Sequence, residues 1–210
     1  MIQQKGVAEK LLQTGSVRLS PNEPFTWASG WKSPIYCDNR RLLSFPYVRD
    51  YIKSELCSVI FTKYPDAELI AGVATAGIAW GAMIADQLKL PLIYVRPKPK
   101  KHGMGNQIEG RFEKGQRTVV VEDLISTGKS SLQVVEVLRK EELEVMGLVS
   151  IFSYGFDEAI NNFSNAGISF DSLTDYQTLI NLGLEKGNIE TGAESLLLQW
   201  RQNPSIWTGK

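Results

Sequence analysis

Apolar positions recur along this chain at two spacings, and the switch between them outlines an alternating architecture. Helical spacing over Ile2 to Gln13 predicts an N-terminal helix, while Phe25 to Trp27 and Ser33 to Asp38 read as a short β-rich section. Ser44 and Pro46 carry the start signal of a second helix reaching about Tyr64, since proline suits a first helical turn. From Ala67 onward, short β-branched runs alternate with helical patterns. Strands are predicted at Glu68 to Val73, Leu92 to Val95, Thr118 to Glu122, Glu144 to Phe152 and Ile168 to Phe170, with helices between them. That alternation predicts an α/β fold with a central, mainly parallel sheet flanked by helices. A last amphipathic helix, about Glu190 to Asn203, would pack Leu196, Leu197 and Trp200 on the body.

The most informative run begins at Thr118. Val119 to Val121 are continuously apolar, as in a central strand covered on both faces, and Glu122 and Asp123 follow at its carboxyl end. In open α/β sheets ligands bind in the crevice outside the strand ends. The turn Ser126, Thr127, Gly128, Lys129, Ser130 and Ser131 then opens a helix with Leu132, Val135, Leu138 and Leu143 at roughly helical spacing. Free N–H groups at such a helix start bind phosphate, and a glycine at 128 lets the backbone approach it. Gly128 to Ser130 looks like the end of a nucleotide-binding P-loop, but that loop needs a glycine where Asp123 stands. A blander reading has the two acids merely capping the next helix.

Two further segments carry candidate chemistry. Ala71 to Gly81 follows the first core strand and holds only small residues through Gly77, which suits close backbone approach to an anion or, equally, a tight strand-to-helix turn. Residues 96–110, between the strands ending at Val95 and starting at Thr118, are too long and polar for a tight connection and rich in glycine and cations, as a lid would be. They include His102, the chain's single histidine. A solvated basic loop or a nucleic-acid patch are the alternatives.

Composition narrows the choice. With 210 residues the chain can bury one sizeable core, and a formal net charge of zero argues against nucleic acid or an anionic membrane as partner. No apolar run is long enough to span a bilayer and the first residues lack the apolar core of a signal peptide, so a cytoplasmic location is expected. Cys37 and Cys57 are too few and too far apart for a disulfide framework or zinc site.

The strand, acid pair and Thr-Gly turn resemble the phosphoribosyl-pyrophosphate (PRPP) signature of the type I phosphoribosyltransferases. The resemblance implies that fold, with a small N-terminal hood mainly over 1–45, a PRPP-binding core over about 65–175, and a C-terminal helix over about 190–203, all one domain. It implies that Glu122 and Asp123 hold the ribose hydroxyls, and that Leu124 and Ile125 lead into a 5′-phosphate turn of Ser126, Thr127, Gly128, Lys129 and Ser130. Lys129 stands where a small residue is common. Ala74, Thr75, Ala76 and Gly77 resemble the pyrophosphate loop, where a strained or cis peptide would be unsurprising.

Arg96, Lys100, His102 and Gly103 match in register the catalytic loop of the orotate phosphoribosyltransferase family. Pro97 replaces a frequent lysine there, so one pyrophosphate contact is either lost or moved to Lys98 or Lys101. In the family this loop, 96–110 here, reaches the neighbouring subunit's site, which implies a homodimer. The segment Ser29 to Tyr36 resembles the hood of the same family. That places Ile35 and Tyr36 against the pyrimidine, with Ser126 also near the base; Ala28 replaces a lysine found in some members, so its contact is absent or supplied by Lys32. The resemblance implies Mg²⁺ as cofactor, PRPP and orotate as substrates, and Lys100, His102 and Asp123 as catalytic groups forming orotidine 5′-monophosphate for pyrimidine synthesis. It assigns no direct protein ligand to the metal, which PRPP would mainly hold. A transferase for a purine or uracil, or a PRPP-sensing regulator, are the alternatives.

Overall fold

The computed structural model describes residues 3–27, 29–98, 106–189 and 191–208. Helix α1 (Gln4–Gln13) is followed by four short strands, β1 (Val17–Leu19), β2 (Phe25–Thr26), β3 (Lys32–Ser33) and β4 (Ile35–Cys37). They pair antiparallel, β1 with β4 and β2 with β3. A 3₁₀ turn (Asn39–Ser44) leads into α2 (Pro46–Lys63). Ser44 lies in that turn, and the residue preceding the helix is Phe45, so Pro46 alone supplies the start signal, at the first helical position.

The core alternates β5 (Leu69–Val73), α3 (Ala76–Leu88), β6 (Leu92–Val95), β7 (Ile108–Glu109), β8 (Arg117–Ile125), α4 (Lys129–Lys140), β9 (Glu144–Ser153), α5 (Asp157–Asn165), β10 (Phe170–Asp175) and α6 (Tyr176–Glu185). A second 3₁₀ turn (Thr191–Ala193) precedes α7 (Glu194–Gln202). The six strands stand in the order β10-β9-β8-β5-β6-β7, all parallel except β7, which runs antiparallel beside β6.

Side chains leave the strands alternately for two apolar layers. Ile70, Val119 and Val121 join one layer with Trp80 and Ile84 of α3 and with α1, α2, α6 and α7. Leu69, Ala71 and Val120 join the other with Val134, Val135 and Leu138 of α4 and Phe163 of α5. Helices α3 and α4 therefore cover opposite faces. Because β5 precedes β6 and β8 in the chain yet lies between them, the strand order reverses between β5 and β8. That reversal opens a crevice at the strands' carboxyl ends.

Several predicted elements move. β8 runs past the acids to Ile125, so Glu122 and Asp123 sit within the strand rather than after it. The reason is one-sided pairing: β9 accompanies β8 to the pair Ile125 and Ser153, whereas β5 leaves it at Gly72 and Val121. Leu143, read as part of α4, lies beyond it and is buried ahead of β9. The last strand is displaced from Ile168 to Phe170 onto Phe170–Asp175, α6 follows it unforeseen, and the predicted loop 96–110 contains the edge strand β7. α7 begins at Glu194, and Glu190 and Ile2, predicted helix starts, lie outside the described residues. Leu197 and Trp200 are buried on its inner face with Leu196 half-buried. Among the described residues no helix is long and apolar enough to cross a membrane.

Candidate active site

The crevice between β5 and β8 is where the predicted groups meet. Glu122 is 7% exposed, and the Asp123 amide donates to its Oε1 at 2.9 Å. Burial raises the Glu122 pKa well above the ordinary carboxylate range, and the neighbouring Asp123 charge pushes it further. Asp123 is raised as well, by burial, while the Arg40 guanidinium opposes the shift. The protein thus keeps two acids in a place that resists their ionisation. Such a pair gains most from ligand hydroxyls that donate to it.

Two helix starts face the same crevice. α3 begins after Thr75 and α4 after Gly128; neither has a side-chain cap or an acid in its first turn, so the orphan N–H groups there remain available to an anion. The Ala74–Thr75 peptide is cis, and the Ala74 amide donates to Val95 O at 3.0 Å, tying the loop to β6. The two glycines serve packing as well as approach. A Cβ on Gly77 would stand 2.3 Å from Val121 O, so only glycine lets α3 start against β8. Gly128 has φ +77°, and a Cβ there would meet the Phe163 ring at 2.5 Å. Its missing side chain therefore points into the α5 layer rather than at the phosphate site the sequence suggested. Asn162 of α5 donates to Thr127 O at 3.0 Å, fixing the turn from behind.

The other predicted residues separate into groups. Ile125 is buried and Leu124 half-buried in the apolar layers, which leaves only their backbone for a ligand. Ser126 and Thr127 are half-buried and Ser130 exposed. Ser131 is buried at 1%, and its hydroxyl has no hydrogen-bond partner; it lies near the Glu122 carboxyl and favours its charged form. Lys129 pairs with Glu158 at 2.7 Å, directed to α5. Arg96 faces Glu109 of β7 at 3.6 Å across the strand pair, and its backbone exchanges hydrogen bonds with Gln107. Lys100, Lys101, His102, Gly103 and Ala28 lie outside the described residues.

In the hood, Tyr36 is half-buried with the Arg18 guanidinium 5.3 Å from its ring centre. Ile35 is wholly buried, so its side chain belongs to the core and Tyr36 is the accessible member of the pair. Lys32 donates to Thr26 Oγ1 at 2.8 Å. Sequence reasoning missed what fastens this unit to the acids. Asn39, wholly buried, donates through Nδ2 to Asp123 O at 2.7 Å and accepts from the Cys37 thiol at 3.3 Å. No local signal marked it, because its partner stands in β8, far along the chain. Trp200 adds a second fastening, donating to Lys32 O at 3.0 Å within an aromatic cluster of Trp27, Tyr154, Phe156 and Tyr176.

Paired acids at the reversal point of a parallel sheet, between two uncapped helix starts, fit a phosphoribosyltransferase, and comparison with known proteins shows that class. A family model for the phosphoribosyl transferase domain matches residues 52–161. The chain is 55% identical over 203 residues to the orotate phosphoribosyltransferase of Cytophaga hutchinsonii, covering 97% of each. It is 52% identical over 198 residues to that of Bacillus subtilis, covering 94% of this chain and 92% of that one. The chain belongs to the orotate phosphoribosyltransferase family.

Solved structures agree in fold. The orotate phosphoribosyltransferase of Aeropyrum pernix superposes with a TM-score of 0.76 at 32% identity, over 88% of this chain and 99% of that one. Leishmania donovani UMP synthase gives 0.79 at 28% identity over 95% of this chain, which spans 42% of that larger protein.

Proposed function

We infer that this chain transfers the 5-phosphoribosyl group of PRPP to N1 of orotate, giving orotidine 5′-monophosphate and pyrophosphate in pyrimidine biosynthesis. The observation that carries the reading is the acid pair of buried Glu122 and half-buried Asp123, bracketed by the amino ends of α3 and α4. Glu122 and Asp123 accept hydrogen bonds from the ribose hydroxyls. The turn from Ser126 to Ser130 takes the 5′-phosphate, and Ala74 to Gly77 take the pyrophosphate. Asp123, closer to solvent than Glu122, also favours the positive charge that develops on the sugar as its C1–O bond breaks.

Arg96, with Lys100, Lys101 and His102 of the loop, stabilises the departing pyrophosphate; the closed loop excludes water. Among the described residues no group of three or more His, Cys, Asp or Glu is clustered to hold a metal. The crevice offers two carboxylates, Glu122 and Asp123, which suits a Mg²⁺ ion held mainly by the diphosphate, and that ion would supply charge neutralisation at the leaving group.

We read the chain as a single domain, because Val17, Ile35 and Leu42 of the hood share one apolar layer with Val119, Val149 and Trp200. A homodimer in which loop 96–110 serves the partner's crevice is supported by the loop's position at β6 and by family resemblance. Its test is to refold Lys100→Ala and Asp123→Asn together. Mixed dimers would carry one intact site, and about a quarter of wild-type activity would return under random pairing. A cytoplasmic location accords with the neutral composition. The activity itself is tested by incubating the chain with Mg²⁺, PRPP and a panel of bases. Orotidine 5′-monophosphate should form from orotate, and preferential use of a purine or uracil would overturn the reading.

A further inference from the structure

The following inference rests on the orotate reading. Orotate differs from uracil by a carboxylate on C6, the carbon beside N1. When N1 meets C1 of the ribosyl group, that carboxylate is carried to the two acids that hold the ribose. Any charge the two acids carry repels that carboxylate, and a half-buried crevice disfavours the added negative charge unless a cation faces it.

Several cations around the hood and strand ends are already committed. Arg18 lies over the Phe25 and Tyr36 rings, Lys32 is bonded to Thr26, Arg96 faces Glu109, and Lys129 is paired with Glu158. Arg40 is placed differently. Its Nε donates to Asp38 Oδ1 at 2.6 Å, which orients the guanidinium while the side chain stays 61% exposed. Its charge reaches both Asp123, where it opposes the effect of burial, and Tyr36. The backbone beneath it is fixed, because Asn39 is wholly buried and bonded to Asp123 O. A guanidinium oriented by Asp38, on backbone fastened to β8 through Asn39, thus lies within electrostatic reach of both the residue assigned to the base and the residue assigned to the ribose.

We propose that Arg40 binds the C6 carboxylate of orotate through its Nη donors, with Asp38 holding the guanidinium in register, and so selects orotate over uracil. The planar fork of arginine matches a carboxylate at two points, and the Nε contact to Asp38 leaves the Nη edge for the ligand. Selection arises because a base without the carboxylate leaves the Arg40 Nη donors without their acceptor.

The test measures KM for orotate and PRPP on Arg40→Gln, together with calorimetric binding of orotidine 5′-monophosphate and uridine 5′-monophosphate, which differ only in that carboxylate. A charged hydrogen-bond pair contributes enough that the orotate KM should rise roughly tenfold to a hundredfold, with PRPP KM changed by less than about twofold. The preference for orotidine 5′-monophosphate should collapse in parallel. Asp38→Asn keeps the guanidinium but loosens it, and should raise orotate KM less, in the same direction. Arg40→Lys gives the same two ratios if the glutamine variant fails to fold, with partial retention expected. An unchanged orotate KM, an equal rise for both substrates, or an intact nucleotide preference would overturn the proposal. A wild-type chain that makes no orotidine 5′-monophosphate would instead sink the function on which it rests.

Discussion

The crevice of the central sheet and the hood that overhangs it are built on different physical terms. Around the acids, Val119, Val120 and Val121 are wholly buried, β8 is paired on both sides up to Val121, and glycines at 72 and 77 allow backbone contacts that any Cβ would break. The hood has strands of two or three residues, too short to be stable alone, and depends on Trp200, Asn39 and the aromatic cluster for its position. The difference separates two tasks. Under the proposed function, the sugar phosphate would be met by the core, and the base by an appended unit of short strands anchored through Val17, Ile35 and Leu42, Asn39 and Trp200.

The largest expected effect comes from Trp200→Ala. Its indole is wholly buried against four aromatic rings, and truncating a buried tryptophan costs about 3–5 kcal/mol. Denaturant titration should show that loss, and the surviving protein should lose orotate affinity more than PRPP affinity because the Lys32 carbonyl is released.

Next in size, Asp123→Asn should lower kcat on the order of a hundredfold, about 3 kcal/mol, without lowering the melting temperature. The hood remains attached, since Asn39 binds the main-chain oxygen of Asp123 and not its side chain. Near-normal turnover would remove the acid pair from the chemistry.

Glu122→Gln should move stability and binding in opposite directions. A carboxyl whose folded pKa is raised favours the folded state fully only below its unfolded value. That contribution is lost as pH rises through the folded one. Above the ordinary carboxylate range Glu122 is therefore a liability to the fold, whether it holds its proton or loses it. The glutamine variant should be more stable there by about 1–3 kcal/mol, the difference closing as pH falls below the ordinary carboxylate range. PRPP affinity should drop in the variant, and in the wild type it should weaken as acid protonates the pair. Thermal melts across pH check the first half and PRPP titrations the second.

The unequal construction also explains what could be read from sequence. The apolar run, acids and phosphate turn of β8 are contiguous, so their spacing alone exposed the crevice. β10 was misplaced because Asp171, Ser172 and Thr174 interrupt its apolar pattern at the sheet edge, where Ser172 bonds Ser150 and only Leu173 and Thr174 are buried. β7 has two residues, too few to show a period. α6 carried a legible start, since Asp175 caps it by accepting from the Thr178 amide at 2.8 Å. Asn39 and Arg40 escaped for another reason. Asn39 bonds to Asp123 O in β8 and the charge of Arg40 acts on Asp123 there, far along the chain, and no local pattern marks relations that only the folded sheet creates. Lys129 was ambiguous until Glu158 stood beside it.

The division of labour is tested most directly by measuring the KM for orotate and for PRPP side by side on Tyr36→Ala. Loss of a stacking ring against the base typically costs 1–3 kcal/mol, so orotate KM should rise roughly tenfold or more while PRPP KM stays within about twofold of wild type. A comparable rise for PRPP would contradict a hood that reads the base while the core alone holds the sugar phosphate.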